Sequence, residues 1–533
     1  MDELQATLWK AADTLRGSMD AAHYKDFVLG LVFLRHAAGD APWARLAAAA
    51  RAGGSGLGRL LDAAMAEATR ARPALAGVFP LAFATVDERR LAGLVTLIGD
   101  LALAAPPGGG PSEGRDVLGE AYEYLLEKFA RAEGRRGGEF YTPASVVRLL
   151  VEVLQPYHGT VYDPCCGSGG MFVQAGKFVL AHQGRPGDLV ICGQESNERT
   201  WRLARMNLAI HAVAGDLGPG PADTLHQDLH PAARADFILA NPPFNMSDWA
   251  RDPADARWRF GLPPRGNANF AWLQHIVAKL APGGTAGVVL ANGSMSARQG
   301  GEGAIRRALV EADLVACMVA LPPQLFRSTQ IPACVWFLSK DKGSRRGEIL
   351  FIDARSLGDL ATRTERVLSP LAIARIAGTY HAWRQAPPTA PGHAGAPGYA
   401  DVPGRAGAPG YGDVPGHAGA PGCGDVPGRA DLPGCAGVPG CVDVPGFCYA
   451  APLAEVRAGG HVLIPGLYVG APRPPADAEP PADRVARLTE ELYENFAESA
   501  RLADAVRAQL GSLPADAARV PAGEDPGQPL PPV

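Results

Sequence analysis

Apolar residues recur every three or four positions through the first 110 residues of the chain. One such series is Tyr24, Phe27, Val28, Leu31 and Leu34. Residues with this spacing lie on one face of an α-helix, so the pattern predicts a helical N-terminal region. The apolar run within the series is far shorter than the roughly 20 residues that span a bilayer. We therefore expect this run to be the buried face of a helix.

From about residue 145 to 355 the pattern changes, because short runs of β-forming residues alternate with helical stretches. The runs lie at residues 160–162, 189–192, 237–239, 287–290 and 335–338. Such alternation is typical of βαβ units and predicts an α/β fold with a mainly parallel sheet covered by helices. Ligands of such folds bind at the carboxyl ends of the strands. A further amphipathic helix is predicted just before this region, at residues 116–131.

Two different patterns follow this region. Between residues 388 and 446 the dipeptide Pro-Gly recurs every six residues, and large apolar side chains are scarce. Because proline removes donors and glycine raises the cost of ordering, we expect a flexible insert there. Residues 483–510 then form a predicted helix whose apolar residues have heptad spacing. They are Val485, Leu488, Leu492, Leu502 and Val506, interrupted by Asn495 and Ser499. Packing on a partner and packing on the chain's own domain are equally compatible with this helix.

Composition limits the possible functions. The 533-residue chain has a formal net charge of −5 and a pI near 6.2, unlike a protein that contacts phosphates over its whole surface. Any affinity for DNA must come from local patches or from a partner. The acidic, polar start of the sequence is unlike a secretory signal, and none of the nine cysteines falls in a C-x-x-C pair. We therefore expect a cytoplasmic protein without a metal or a membrane partner.

A glycine-rich turn follows the first predicted strand, with the sequence DPCCGSGG at residues 163–170. Its glycines allow the backbone to turn sharply and to approach a ligand closely. Glu195 ends the next strand, where an acid typically accepts hydrogen bonds from ribose hydroxyls. The turn matches neither the dinucleotide pattern nor a phosphate loop. A cofactor without phosphates fits better, and S-adenosylmethionine is the candidate.

A later strand runs directly into the sequence NPPF, from Asn241 to Phe244. Two prolines fix the backbone and remove two N–H donors, which leaves a rigid acceptor site. The amide oxygen of Asn241 and the carbonyl of Pro242 can together accept both hydrogens of a planar amino group. That nitrogen then attacks a sulfonium methyl in line, while Phe244 stacks on the ring that carries it. A structural turn is the alternative, because Asn-Pro and Pro-Pro are common in loops.

Together these motifs resemble the amino-methyltransferases of DNA adenine, and specifically the modification subunit of type I restriction–modification systems. The segments that carry the likeness are residues 163–172 and 241–245, supported by 8–20, 138–143, 223–225, 266–272 and 464–470. This family commonly has glutamine in place of Glu139, and the loop before its Pro-Gly-Phe segment is short, whereas here it has grown into the hexapeptide repeat.

The resemblance implies adenine-N6 methylation of double-stranded DNA after the base is flipped, with S-adenosylmethionine as cofactor. Catalysis is assigned to Asn241, Pro242, Pro243 and Phe244. The implied cofactor-binding residues are Glu139, Phe140, Tyr141, Thr142, Pro143, Ala144, Asp163, Gly167, Ser168, Gly169, Gly170, Glu195 and Asp223. The implied partners are a DNA specificity subunit, a restriction subunit and a second copy of this chain. No region after residue 355 could read the DNA site, which supports a separate specificity subunit.

The sequence patterns divide the chain into four parts. We expect a helical N-terminal domain at residues 1–110, a Rossmann-like methyltransferase domain at 111–385, the flexible insert at 386–446 and a C-terminal segment with a docking helix at 447–533. Two rival functions are methylation of a protein glutamine amide and service as a catalytically idle scaffold. The intact Asn241 and glycine turn argue against the scaffold.

Several polar residues near the motifs need an interpretation. Asp228 and His230 are expected to be solvated loop residues, and His275 a structural residue of a helix. Two interpretations remain open for the basic and aromatic residues after the NPPF turn. They contact phosphates and a displaced or flipped base, or they form a solvated loop pinned by its aromatic rings. These residues are Trp249, Arg251, Arg257, Trp258, Arg259, Phe260 and Arg265.

Overall fold

The computed structural model describes residues 9, 21–53, 55–70, 78, 82–103, 117–133, 142–326, 331–362, 365–386, 443–471 and 481–511. Several sequence predictions fall outside these ranges. They are the start of the N-terminal helical pattern, the candidate cofactor residues Glu139, Phe140 and Tyr141, and nearly all of the hexapeptide repeat.

The N-terminal region is helical, as its apolar spacing predicts. Its helices are α1 (Ala21–Ala38), α2 (Asp40–Ala52), α3 (Leu57–Arg70) and α4 (Glu88–Leu103). The helix α5 (Val117–Glu133), predicted at residues 116–131, packs with them. Val28, Leu31 and Leu34 of α1 are fully buried, so the apolar run is the inner face of a helix. The core of these helices also includes Leu203 and Met206 from a helix of the α/β region.

Nine of the described strands form one sheet, flanked by helices. The strands of the sheet are β1 (Gly159–Asp163), β2 (Leu189–Gly193), β3 (Gly215–Asp216), β4 (Ala235–Ala240), β5 (Leu280–Ala291), β6 (Val315–Ala320), β7 (Ala333–Ser339), β8 (Glu348–Asp353) and β11 (Cys448–Pro452). Two further strands, β9 (Asp359–Thr362) and β10 (Glu365–Val367), form a separate hairpin. The helices are α6 (Ala144–Leu154), α7 (Gly170–Ala181), α8 (Glu198–Ile210), α9 (Asn269–Lys279), α10 (Glu302–Glu311), α11 (Pro370–Gln385) and α12 (Leu453–Ala458).

The strand order is β11-β8-β6-β7-β5-β4-β1-β2-β3. The pairs β1–β2, β2–β3, β1–β4, β4–β5 and β6–β8 are parallel, whereas β7 is antiparallel to β5 and β6, and β11 is antiparallel to β8. The predicted mainly parallel α/β sheet is therefore confirmed, as are all five predicted strands. Strands β6 and β7 are buried at every residue, which explains their continuous apolar sequences.

The strand order reverses at β1. Its neighbours are β2, the next strand along the chain, and β4, which comes later. Helices on the two sides of such a point diverge and leave a crevice beyond the carboxyl ends of the strands. The core consists of separate clusters, one with α6, α7 and α11 packed on the sheet and another with α9 and α10.

The chain divides into two compact units, residues 1–471 and 472–533. The described part of the second unit is the helix α13 (Pro481–Gly511), which contains the predicted helix 483–510. Its five heptad residues are between 48% and 64% exposed. In the part of the chain that the structure describes, no helix has the length and apolar character needed to cross a membrane. The four-part division of the chain stays a prediction.

Candidate active site

The carboxyl ends of three adjacent parallel strands carry the polar residues of the site. Asp163 is the last residue of β1, Glu195 follows β2, and Asn241 follows β4. Because β1 lies between β2 and β4, the three side chains collect at the crevice where the strand order reverses. The sheet thus brings together residues that the sequence separates widely.

The glycine-rich turn is held in a conformation that other residues rarely adopt. Gly167 and Gly169 have φ values of +55° and +77°, in the left-handed region that favours glycine. Gly169 also lies against α8, with only 3.5 Å between the position of a Cβ and the Cβ of Ala204. The side-chain amide of Asn207 donates to the Ser168 carbonyl at 2.9 Å. The turn is therefore fixed in place from the side of α8.

Glu195 connects two backbone segments at this end of the sheet. Its carboxylate accepts hydrogen bonds from the backbone N–H groups of Gly167 at 3.0 Å and Asn197 at 2.8 Å. The Asn197 side chain in turn caps α8 by accepting from the N–H groups of Arg199 and Thr200. Burial raises the pKa of the Glu195 carboxyl, despite these hydrogen bonds. Its position is thus fixed independently of any ligand.

Asp163 is the most buried acid of the site, at 1% exposure. Its carboxylate oxygen accepts from the backbone N–H of Cys165 at 3.0 Å. Burial nevertheless raises the pKa of Asp163 to about 7, because the charged form loses its hydration. Asp223 lies on the loop beyond β3 and accepts from the backbone N–H of Leu225 at 3.0 Å.

Two cavities adjoin the glycine-rich turn, and both are lined by Cys165, Gly167, Ser168 and Asn241. One has a volume of about 310 Å³ and is also lined by Glu195, Asp223 and Pro243. Leu29 of α1 and Phe129 of α5 close that cavity from the N-terminal helices. The other has a volume of about 350 Å³ and is also lined by Asp163, Thr142, Ala144 and Gly170. Residues from several of the predicted cofactor segments therefore surround one turn.

The side-chain amide of Asn241 has a hydrogen-bond partner for its nitrogen but none among the described residues for its oxygen. The amide nitrogen donates to the hydroxyl oxygen of Thr142 at 2.8 Å. The amide oxygen is buried and accepts no hydrogen bond among the described residues. A buried acceptor without a donor is costly. The Asn241 oxygen is therefore available to accept a hydrogen bond from a bound group.

A pair of asparagines fixes the chain just after the NPPF turn. Asn269, at the start of α9, accepts from the backbone N–H of Asn245 at 3.1 Å and donates to the Asn245 side-chain oxygen at 3.0 Å. Asn245 has a φ of +53°, which asparagine tolerates better than most residues. The sequence places Asn269 in a matching segment but does not reveal this role. Only the contact between distant segments shows it.

Phe244 is partly buried, and its ring meets Phe326 edge to face with the ring centroids 5.8 Å apart. Pro242 beside it is buried. The turn is therefore braced by an aromatic contact on one side and by Asn245 and Asn269 on the other.

The expectation that Asp228 and His230 are solvated is wrong. His230 is 9% exposed, and its Nε2 lies 2.9 Å from the Gly193 carbonyl oxygen. Asp228 forms a salt bridge with the buried Lys279 at 2.5 Å. Both residues hold the loop against the sheet. The polar sequence around them gives no sign of this role. His275 is fully buried, which confirms its structural interpretation.

The structure separates the basic and aromatic residues after the turn into two groups. The rings of Trp249 and Trp258 are buried and pack edge to face at 5.5 Å. Arg257 is committed to contacts within the chain, whereas Arg259 and Arg265 are exposed. The loop is therefore pinned by its aromatic residues, and contact with DNA stays a prediction for the two exposed arginines.

Comparison with known proteins identifies two matching family models. Residues 113–401 match the N-6 DNA methylase family, and residues 4–40 match the HsdM N-terminal domain. The chain is 41% identical to the HindI type I restriction enzyme methylase subunit of Haemophilus influenzae over 465 residues, which cover 86% of this chain and 93% of that protein. It is also 41% identical to the MjaIX methylase subunit of Methanocaldococcus jannaschii over 271 residues, 49% of this chain and 48% of that protein.

A solved structure supports the fold. The crystal structure of a type I restriction–modification methyltransferase subunit from Streptococcus thermophilus aligns with a TM-score of 0.62 at 23% identity, covering 88% of this chain and 99% of that one. The long sequence match and the match to the N-6 DNA methylase family agree with the glycine-rich turn and the NPPF turn, which lie where the strand order of the sheet reverses. The chain therefore belongs to the N-6 DNA methylase family, among the methylase subunits of type I restriction enzymes, and is an S-adenosylmethionine-dependent adenine-specific DNA methyltransferase.

Proposed function

We propose that a flipped adenine enters the crevice and places its amino group against the NPPF turn. The buried, unpartnered amide oxygen of Asn241 carries this proposal. It accepts one hydrogen of the amino group, and the Pro242 carbonyl accepts the other. An exocyclic amine within the duplex cannot meet a methyl donor in line, so the base must leave the stack.

Methyl transfer then needs no prior deprotonation of the amine. The two acceptors increase lone-pair character on N6, and this nitrogen attacks the sulfonium methyl as the carbon–sulfur bond breaks. The electron pair of the broken bond stays on the sulfur, and the methylated nitrogen afterwards loses one proton to the solvent. S-adenosylmethionine supplies the methyl group, while Asn241 and the turn orient the amine and Phe244 stacks on the adenine ring.

The residues around the glycine-rich turn fit this cofactor. Glu195 and Asp223 both line the first cavity. We assign the Glu195 carboxylate to the ribose of the cofactor and Asp223 to its adenine. Asp163 and Thr142 line the second cavity, which we assign to its methionine part. The segment of Glu139, Phe140 and Tyr141 is expected to close over that part. A buried acid such as Asp163 suits a cationic amino group, because the cation compensates the cost of its charge.

Variants of Asn241 test the chemistry in a reconstituted complex with labelled cofactor. Asn241→Ala removes the acceptor, and Asn241→Gln keeps the amide but moves its oxygen by one methylene. Both should lower the methylation rate by about 100-fold or more, while the dissociation constant for S-adenosylmethionine changes by less than about threefold. Full methylation by Asn241→Ala would exclude this mechanism. Label appearing in a protein substrate instead of DNA would favour glutamine methylation.

Base flipping has a separate test. Sequencing of methylated sites in the native host defines the target, and 2-aminopurine then replaces the target adenine in a duplex. Fluorescence should rise when the complex binds, because an extruded base is no longer quenched by stacking. An unchanged signal with tight binding would contradict flipping.

We also propose that the chain works as one subunit of a larger complex. The helix α13 exposes Leu488, Leu492 and three further apolar residues at heptad positions, as a helix does when it docks against a partner helix. The proposed complex contains a specificity subunit flanked by two copies of this chain, joined by a restriction subunit. The isolated chain should bind cofactor but methylate DNA poorly.

Co-purification tests the docking helix. The double variant Leu488→Lys/Leu492→Lys should lose the specificity subunit but keep its affinity for S-adenosylmethionine. The control Glu490→Lys/Ala497→Lys adds two lysines on the opposite face and should keep the subunit. Retention of the subunit by both variants would exclude docking through this helix. Native mass measurement of the wild-type complex gives the number of copies, and a single copy would exclude the proposed stoichiometry.

A further inference from the structure

Arg257 links the loop after the catalytic turn to the loop that carries Asp223. Its Nη1 donates to the Thr224 carbonyl at 2.9 Å, and its Nη2 donates to the Leu225 carbonyl at 2.7 Å. These are the two residues that follow Asp223 in the chain. The guanidinium therefore holds the backbone immediately beside a residue that lines the first cavity.

The remaining donors of Arg257 are also committed. Nε donates to the Asp255 carboxylate at 2.7 Å, and Nη2 pairs with the same oxygen at 2.5 Å. The guanidinium carbon lies 5.1 Å from the ring centroid of Trp258. Such a planar fork holds several acceptors in fixed directions at once, which a lysine ammonium cannot do.

The buried His275 also contacts the Arg257 guanidinium. His275 Nδ1 lies 3.0 Å from Arg257 Nη1, and its Nε2 lies 3.0 Å from the hydroxyl of Tyr162 in β1. Since arginine only donates, Nδ1 is the acceptor and Nε2 carries the ring hydrogen. Burial and the neighbouring Arg257 lower the pKa of His275 to about 3, so the imidazole is neutral at physiological pH. Arg257 is thereby anchored to the sheet.

The loop beside Asp223 is also tied on its other side. The Thr224 hydroxyl donates to the Pro164 carbonyl at 2.5 Å, next to the glycine-rich turn. Asp223 itself accepts from Leu225, one of the two residues whose carbonyls Arg257 binds. The position of the Asp223 carboxylate thus depends on a loop held between the glycine-rich turn and Arg257.

We infer that Arg257 is a positioning residue for the cofactor, acting through the Thr224 and Leu225 carbonyls to place Asp223 in the cavity. This inference rests on the proposed assignment of Asp223 to the cofactor. The same contacts connect cofactor binding to the loop that follows the catalytic turn. Arg257 contacts no substrate in this role.

Calorimetric titration of the full chain with S-adenosylmethionine tests the inference. Arg257→Ala should raise the dissociation constant about tenfold, with a matching rise in KM and a change in kcat at saturating cofactor below about threefold. Arg257→Lys should retain part of the affinity. The control Arg259→Ala removes an exposed arginine of the same loop and should leave the dissociation constant unchanged.

A double-mutant cycle separates this inference from the assignment of Asp223. Asp223→Ala should weaken cofactor binding. Adding Arg257→Ala to that variant should then raise the dissociation constant for S-adenosylmethionine by a much smaller factor than it does in the wild-type chain. Weak binding by Asp223→Ala with normal binding by Arg257→Ala would overturn the role of Arg257 alone. Normal binding by Asp223→Ala would overturn the assignment of Asp223. Fully additive effects would show that Arg257 does not act through Asp223, and if Arg257→Ala fails to fold, Arg257→Lys serves in the same cycle.

Discussion

The side-chain amide of Asn241 donates a hydrogen bond to the hydroxyl oxygen of Thr142 at 2.8 Å. An asparagine amide can rotate by half a turn and exchange its oxygen and nitrogen. In the structure the nitrogen faces Thr142, so the hydrogen bond holds the plane of the amide and the oxygen takes no part in it. The oxygen accepts no hydrogen bond among the described residues, and in the proposed mechanism it accepts one from the substrate amine.

Replacing Thr142 should therefore lower the methylation rate even at saturating cofactor, because its side chain holds the Asn241 amide. Thr142→Val removes the acceptor and should lower kcat at saturating cofactor by about tenfold, the usual worth of one buried hydrogen bond. Thr142→Ser keeps the hydroxyl and should stay within about twofold of wild type. Single-turnover methylation in the reconstituted complex measures both. Equal rates for the valine and serine variants would contradict the positioning role.

Asn269 should be needed for the geometry of the catalytic turn. Asn269→Ala removes both hydrogen bonds to Asn245 and should lower kcat by about tenfold, while the cofactor dissociation constant changes little. Asn269→Asp keeps an acceptor for the Asn245 backbone N–H but places a buried carboxylate oxygen against the Asn245 side-chain oxygen, so it should not restore the rate. The comparison is made by single-turnover rates alongside calorimetric titration. An alanine variant as fast as wild type would show that the pair is dispensable.

Asp163 should make the stability of the cofactor-free chain depend on pH. Its pKa is about 7 in the folded chain and near 3.8 when exposed, so the folded state holds a proton that the unfolded state has lost between these values. Stability from this group therefore falls as pH rises from about 4 to 7, by at most about 1.4 kcal/mol per pH unit, and is level above 7.

The variant Asp163→Asn isolates this effect, because the other titrating groups are common to both chains. Thermal unfolding from pH 5 to 8 should show the melting temperature of wild type falling relative to the variant up to about pH 7. A difference that stays constant between pH 5 and 7 would contradict the raised pKa.

The salt bridge between the buried Lys279 and the partly buried Asp228 should respond strongly to the loss of one partner. Lys279 is 3% exposed, and it also donates to the His230 carbonyl at 2.5 Å. Lys279→Met leaves the Asp228 carboxylate and this carbonyl without their cation and should destabilise the chain by about 3 kcal/mol. Adding Asp228→Asn should recover part of the loss in urea unfolding. A double variant less stable than Lys279→Met would contradict the pairing.

The sequence was sufficient where the physical cause is local. The run that became β7 is apolar because every residue of that strand is buried, and the positive φ of Gly167 and Gly169 is a backbone conformation that favours glycine. The antiparallel placement of β7 was not predictable from its own residues. It depends on pairing with β5 and β6 at the same time.

The supporting residues of the site could not be predicted in this way. Arg257 lies in a segment of polar and aromatic residues, and either of its interpretations was compatible with that pattern. His230 follows a polar loop and was expected in solvent, yet Lys279 and Gly193 enclose it. Such roles arise from contacts between segments far apart in the chain. No periodicity or spacing encodes them.

The NPPF turn also bears on when the reaction stops. Pro242 and Pro243 have no N–H to offer, and the open position of Asn241 is an oxygen, so the proposed pocket for the amine contains acceptors only. Adenine presents two hydrogens to such a pocket, whereas its monomethylated form presents one hydrogen and a methyl group. The product therefore makes one hydrogen bond fewer, and its methyl carbon lies against one of the acceptor oxygens. The same turn that holds the substrate thereby favours release of the product and opposes a second methylation of the same base.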